Sequence, residues 1–289
     1  MVELFQKCTL NFEQHKDSVK QFFDYFNLKE GKPQLHFLGA IISHFAEIPY
    51  ENISKIIKLR HHWDNLQKIR LPEEVIEGHI TCKLGGTCFS LTYFLQNILM
   101  RSGFVCYPVM ADMRTGRNIH CGLVVLLDKA KYLIDPGYLL NQPMEINPLK
   151  PRLYRTEHSG VELLFNQQTG YFDLFTFSQS EIKWRYQFKD RPCPPEEFLK
   201  HWLASFQKPT MHGICLTKIT REGLIYIHKS YMRETTFTGK KSTKIKTNYQ
   251  ATIHRLFGID EQLIEQAQAA LQDNLAKERE LGIFVPKKK

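Results

Sequence analysis

Nothing in this chain is apolar for long enough to cross a bilayer. The longest uninterrupted runs are like Leu123 to Leu127, far short of the roughly 20 residues a spanning helix needs, so no membrane association is expected. The opening MVELFQKCTLNFEQHKD has no basic start, apolar stretch and small-residue cleavage site, so no secretory signal is read and a cytoplasmic location is expected. There is no C-x-x-C pair, and the twelve histidines do not fall at zinc-ligand spacing with the seven scattered cysteines (Cys8, Cys82, Cys88, Cys106, Cys121, Cys193, Cys215). A disulfide framework and a structural zinc are both disfavoured, and no metal is expected. Internal repeats, low-complexity segments and helix-turn-helix, zinc-finger or RNA-recognition signatures are missing, so a nucleic-acid partner is not expected. Acidic residues are scarce in one region only. Residues 200–255 hold two acids, Glu222 and Glu234, against eleven Lys and Arg, so the whole net charge of +9 resides there and the rest of the chain sums to zero. Such a local excess either docks something anionic or merely keeps a lysine-rich surface hairpin near Thr238 to Thr247 soluble.

What is present is a globular composition: 289 residues, 43% hydrophobic and 24% charged, ample for a large core without staples. Phe12 to Leu28 and Gln34 to Glu47 carry apolar residues at intervals of three and four, which predicts two helices with one buried stripe each. Pro33 suits the start of the second and Pro49 its end, leaving 49–53 (PYENI) as an irregular or turn segment. A third helix is expected over Cys88 to Arg101, with Leu91, Phe94, Leu95, Ile98 and Leu99 inward and Gly103 as its stop. Beyond Gly103 the period becomes extended: 104–110, 119–127, 131–135 and 160–177 read as antiparallel strands. After the proline cluster at Pro192, Pro194 and Pro195 comes a helical stretch from Glu196 to Phe206, then a mixed segment closed by a helix over Asp260 to Leu281. The final lysines read as a frayed tail. The expected organisation is α+β, with a helical bundle over 1–103, an antiparallel barrel over 104–198 and a smaller mixed unit over 199–289.

Cys88 follows a Gly85-Gly86-Thr87 loop and opens a helix. A thiol there feels the positive helix end and free backbone amides, which favour the nucleophilic thiolate, although a small apolar residue at a tight helix start would look the same. His120 and Asp135 strengthen the chemical reading. With a two-residue loop at Asp128-Lys129, Leu127 pairs with Ala130, so Gly122 stands opposite Asp135 and His120 lies diagonal to it on the same face. A three-residue loop would break that parity.

These residues resemble the arylamine N-acetyltransferases. Over roughly residues 20–145 the family's motifs occur in order: a helix with His44 leading to Ile48-Pro49-Tyr50-Glu51-Asn52 (family PFEN), Gly85-Gly86-Thr87-Cys88-Phe89 (family RGGxCFE), His120, and Asp135-Pro136-Gly137-Tyr138 (family DVGF). The resemblance implies a helical bundle, a β-barrel and an α/β lid, with Cys88, His120 and Asp135 as a cysteine-protease-like triad. It also implies that acetyl-CoA or another acyl-CoA is a co-substrate, with no permanently bound cofactor, and that the acyl group passes through an acyl-cysteine to an amine or hydroxylamine.

The chain departs from the pattern at Leu84 (family arginine), Ser90 (glutamate), Thr92 (asparagine) and Pro136. Glu51 is retained without its expected arginine, so it should be exposed, protonated or repaired by Lys83. On the basic region, Lys240, Lys241, Lys244 and Lys246 are candidate ligands for donor phosphates, the donor being acyl-CoA or a phosphopantetheine arm on an acidic acyl carrier protein. Two other readings keep the same residues: a thiol hydrolase or transglutaminase-like enzyme, and a non-catalytic binding protein.

Overall fold

A computed structural model of the chain describes residues 10–156, 158–179 and 181–283. Cys8 and the terminal lysines lie outside the described residues.

A short 3-10 turn (Phe12–His15) leads into α1 (Lys16–Tyr25), which faces α2 (Leu35–Phe45) through Phe22, Phe23 and Phe37. Sequence periodicity predicts this pair. It misses α3 (Ile53–His61) and α4 (Pro72–Cys82). In α3 the inward residues include Ser54 and Lys55 as well as Ile53, Ile56 and Leu59, so no apolar stripe marks it. The segment at 49–53, expected to be irregular or a turn, holds a two-residue strand, β1 (Tyr50–Glu51), and the start of α3. Helix α5 (Cys88–Arg101) is buried on all sides from Cys88 to Leu99, not along one stripe. It is the central element that the other helices and a large sheet cover.

That sheet has eight strands in the order β5-β4-β3-β2-β9-β8-β7-β6 and curls into a nearly closed barrel. Its strands are β2 (Val105–Met113), β3 (Gly116–Leu127), β4 (Ala130–Ile134), β5 (Met144–Glu145), β6 (Arg152–Arg155), β7 (Gly160–Asn166), β8 (Tyr171–Phe177) and β9 (Ile182–Phe188). The stretch 160–177 is thus two strands, divided where Asn166 Oδ1 accepts the amides of Gln168 and Thr169 and Gly170 takes φ +69°. Between β3 and β4 the turn is the two-residue kind. Asp128 and Lys129 both have positive φ, +48° and +67°, and Leu127 pairs with Ala130, as a right-twisted hairpin favours.

Helix α6 (Pro195–Ala204) leads to a second sheet, ordered β1-β10-β11-β12-β13, from β10 (Cys215–Thr220), β11 (Gly223–His228), β12 (Tyr231–Thr235) and β13 (Lys240–Lys244). Helices α7 (Tyr249–Phe257) and α8 (Glu261–Glu280) close the chain. The C-terminal segment returns to the N-terminal helices. β10 pairs with β1, Asn52 bonds the carbonyls of Thr210 and Gly213 and the amide of Cys215, and Asn274 reaches the Ile56 carbonyl. Ile53, Ile56 and Phe89 share one core with Trp202, Phe257 and Ile264. This closure brings the first helices, the barrel edge and the basic C-terminal sheet around one cleft. Among the described residues no helix is long and apolar enough to cross a membrane.

Candidate active site

The loop that presents Cys88 is tied down by backbone contacts. Glu51 N donates to the Gly86 carbonyl at 3.0 Å, and a Cβ on Gly85 would stand 1.8 Å from the Pro49 carbonyl oxygen, so only glycine fits there. Thr87, the N-cap of α5, makes no side-chain capping bond, which leaves first-turn amides beside the thiol for another acceptor. Cys88 itself is 8% exposed.

His120 and Asp135 meet as the hairpin parity requires. Nε2 of His120 donates to Oδ2 of Asp135 at 2.7 Å, with both side chains buried. Asp135 is held by two further donors, the Tyr186 hydroxyl at 2.6 Å on Oδ2 and the Tyr138 amide at 3.0 Å on Oδ1. Pro136 does not disturb this arrangement, since the amide that Asp135 uses is that of Tyr138. With Nε2 engaged, Nδ1 is the ring nitrogen left to bond the Cys88 thiol. Gly137 packs into the corner between them: a Cβ there would lie 2.8 Å from both Cys88 Cβ and His120 Cε1.

The electrostatics favour an ion pair. A hydrogen bond from the Cys121 thiol, followed by the hydrogen bond and charge of His120, holds the Cys88 thiol well below its ordinary range despite burial. Burial alone would push the His120 imidazole down. The charge and hydrogen bond of Asp135, together with Cys88, overcome this and bring it to about 10. Both directions favour the thiolate and the imidazolium over the neutral pair. Cys121 was not singled out by sequence. It follows His120 on β3 and packs against α5, with its sulfur 3.4 Å from Thr92 Oγ1, so threonine here supports a second thiol beside the first.

Glu51 corrects an expectation. It is fully buried, not exposed, and Lys83 does not repair it: the Lys83 ammonium donates to the Tyr25 hydroxyl at 3.1 Å. The carboxylate accepts the Ser54 amide and hydroxyl at 2.9 and 2.5 Å and the Gly85 amide at 3.3 Å. The positive charge it feels is that of Arg70, a buried guanidinium from the segment before α4 that lies over Gly78 beside Leu84. A cation from elsewhere in the chain thus serves where the family's arginine is replaced by Leu84. Ser90, in turn, donates to the Thr87 carbonyl at 3.0 Å and covers Gly86.

Cys88 and His120 open into a cleft of about 520 Å³ between the helices, the barrel edge and the second sheet. Of the four lysines singled out by charge, only Lys240 lines it, bonded to Glu181; Lys241, Lys244 and Lys246 lie outside. Sequence reasoning missed the cations that do line the cleft, above all Arg185 and Arg233. They repel one another, and neither forms an ion pair among the described residues; Arg185 donates to Thr176 Oγ1 at 2.6 Å and Arg233 lies over the Tyr226 ring. No group of three or more His, Cys, Asp or Glu among the described residues could hold a metal.

Comparison with known proteins bears on this geometry. The N-acetyltransferase family model matches residues 34–265. The chain belongs to the arylamine N-acetyltransferase family. Solved arylamine N-acetyltransferases share the fold. That of Mycobacterium abscessus has 18% identity and a TM-score of 0.76, over 92% of this chain and 97% of that one. That of Mycobacterium tuberculosis has 18% identity and a TM-score of 0.72, over 89% and 99%. The Bacillus cereus enzyme, described with a unique Cys-His-Glu catalytic triad, has 19% identity and a TM-score of 0.66, over 85% and 99%. A search of curated proteins found no match.

Proposed function

We propose that this acetyltransferase-family enzyme moves an acyl group from acyl-CoA through an acyl-Cys88 intermediate to an amine or hydroxylamine by a ping-pong mechanism. The observation that carries the reading is the 2.7 Å hydrogen bond between His120 and Asp135, with Gly137 packed against both His120 Cε1 and Cys88 Cβ where the two side chains line one cleft. The Cys88 thiolate attacks the thioester carbonyl, and first-turn amides of α5 receive the oxyanion. The tetrahedral adduct collapses, the carbon–sulfur bond to the donor breaks, and the departing thiolate takes the proton from His120. An amine then attacks acyl-Cys88, gives its proton to His120, and leaves as the amide while the thiolate is restored. Asp135 keeps the imidazole oriented and stabilises its cation throughout.

The donor's diphosphate fits Arg185 and Arg233, two cleft guanidiniums without carboxylate partners among the described residues, better than the lysines of β13. This favours acyl-CoA over an acyl carrier protein, whose acidic helices would meet the exposed Lys241, Lys244 and Lys246 instead. Intact mass tests the reading. Incubation with acetyl-CoA should add one acetyl group to the wild-type chain and none to Cys88→Ala, and a later amine should remove it as the acetyl-amide. No mass gain rules the mechanism out, and release as free acetate with every amine would make the enzyme a hydrolase.

A further inference from the structure

Lys55 lies in the first turn of α3, on the wall of the same cleft as Cys88, and is only 6% exposed. Its ammonium donates to Ser205 Oγ at 2.6 Å, and that hydroxyl in turn donates to the Trp202 carbonyl at 2.5 Å. The Phe206 ring lies 4.3 Å from the nitrogen. No carboxylate stands within ion-pair distance of it among the described residues. The contrast with Lys58, one turn along the same helix, is direct: that side chain is less buried, yet bonds the Glu74 carboxylate.

A buried cation without a counter-charge is costly, by several kcal/mol. Burial accordingly pulls Lys55 down to about 8, which still leaves it mostly charged at neutral pH; the charged groups facing it are the Cys88 and Cys121 thiols and Lys68. The thiolate cannot be its permanent partner, because acylation removes that charge at the first step. What remains on the cleft wall after acylation is an ammonium beside a neutral thioester, facing the space where the second substrate must enter. The donor's phosphates are not its counter-charge in that state, because in the ping-pong reading above coenzyme A has left before the acceptor enters.

We infer that Lys55 is a specificity-determining residue of the acceptor site, binding a carboxylate carried by the acceptor amine. This rests on the acyl-transfer reading above. An amine whose carboxylate reaches Lys55 supplies the counter-charge that this ammonium lacks in the acyl-enzyme, and its nitrogen is then oriented toward the acyl-cysteine.

The test compares two acceptors of nearly equal shape, 4-aminobenzoate and 4-aminobenzamide, with acetyl-CoA as donor. The wild type should favour the carboxylate in kcat/KM by about tenfold or more, Lys55→Met should bring the ratio close to one, and Lys55→Arg should retain the preference. Lys55→Gln, which keeps a donor for Ser205, is the second neutral variant should Met not be accommodated, and should show the same fall. Equal use of both amines by the wild type, or a ratio that survives loss of the charge, overturns the proposal. So does a change confined to the choice between succinyl-CoA and acetyl-CoA, which would assign the anion to the acyl group. The acyl-enzyme mass is scored separately: a chain that gains no acetyl group fails the underlying mechanism before acceptors are compared.

Discussion

One oxygen of Asp135, Oδ2, accepts two hydrogen bonds at once, from His120 Nε2 at 2.7 Å and from the Tyr186 hydroxyl at 2.6 Å. An asparagine amide nitrogen in that place would present a donor to both. The imidazole could answer only by moving its proton to Nδ1, the side that faces Cys88, where it can no longer accept the thiol proton. Asp135→Asn should therefore lower kcat/KM by about 10³-fold or more. Tyr186→Phe removes one donor and leaves the tautomer intact, so its loss should be far smaller. Steady-state kinetics of the two variants check this; comparable losses would mean that orientation of the ring is not what Asp135 contributes.

Alkylation at limiting reagent, mapped by peptide mass, should mark Cys88 first among the described cysteines. Burial pushes Cys106, Cys193 and Cys215 up to about 12, and Cys121 is fully buried; half-buried Cys82 is the remaining competitor. The pH dependence carries the sign. A thiol with an ordinary titration reacts about tenfold faster per pH unit between 6 and 8. Cys88 is lowered and His120 raised to about 10, so its alkylation rate should be nearly flat across that interval and fall only in acid, where the thiolate protonates. His120→Ala should shift the midpoint upward. A wild-type rate that climbs like an ordinary thiol would show that no ion pair forms.

Removing the Arg70 charge should destabilise the fold more than any change at Lys83. Arg70→Met removes the buried guanidinium whose charge acts on the Glu51 carboxylate, a loss of about 1–3 kcal/mol. Lys83 is exposed and, among the described residues, bonds the Tyr25 hydroxyl and, more weakly, the Ile80 carbonyl, so Lys83→Met should stay within about 0.5 kcal/mol of wild type. Urea unfolding of both variants decides it. Equal midpoints would mean that the Ser54 and Gly85 donors satisfy Glu51 without help.

The difference between Lys83 and Arg70 illustrates which parts of the site were legible in the sequence. The approach of His120 to Asp135 follows from local geometry: a two-residue turn sets the register, and strand parity does the rest. Cys88 at a helix start after two glycines is equally local. Arg70 reaches Glu51 only because α3, α4 and the glycine loop fold onto one another, and nothing near Arg70 in sequence marks it as a partner. The basic segment was visible as a sum of charge, but the sum does not say which way each side chain faces. Strand β13 runs along the edge of its sheet with Lys240 toward the cleft and Lys241 on the alternate face, while Arg185 comes from the barrel, outside the segment altogether. Lys55 was hidden for the opposite reason: one inward lysine interrupts the apolar spacing of α3, and so the helix itself went unread.

The last prediction separates the two possible donors by where their charge must land. A coenzyme A donor would bring its diphosphate and 3′-phosphate into the cleft, where Arg185 and Arg233 form no ion pair among the described residues. A carrier protein stays outside and would meet Lys241, Lys244 and Lys246, all exposed or nearly so. Replacing Arg185 and Arg233 together by Gln should raise the acetyl-CoA KM by about tenfold to a hundredfold, each lost charged hydrogen bond being worth about 1.5–3 kcal/mol, while single-turnover attack of an amine on preformed acyl-Cys88 keeps its rate. Replacing the three outer lysines by Gln should change that KM little and only at low salt, because exposed charges are screened over about 8 Å at physiological ionic strength. Donor kinetics for both variants across a salt series give the answer. Should the outer lysines dominate and the cleft arginines prove silent toward acetyl-CoA, the basic strand is a docking face for a carrier protein, and the assignment of the donor reverses.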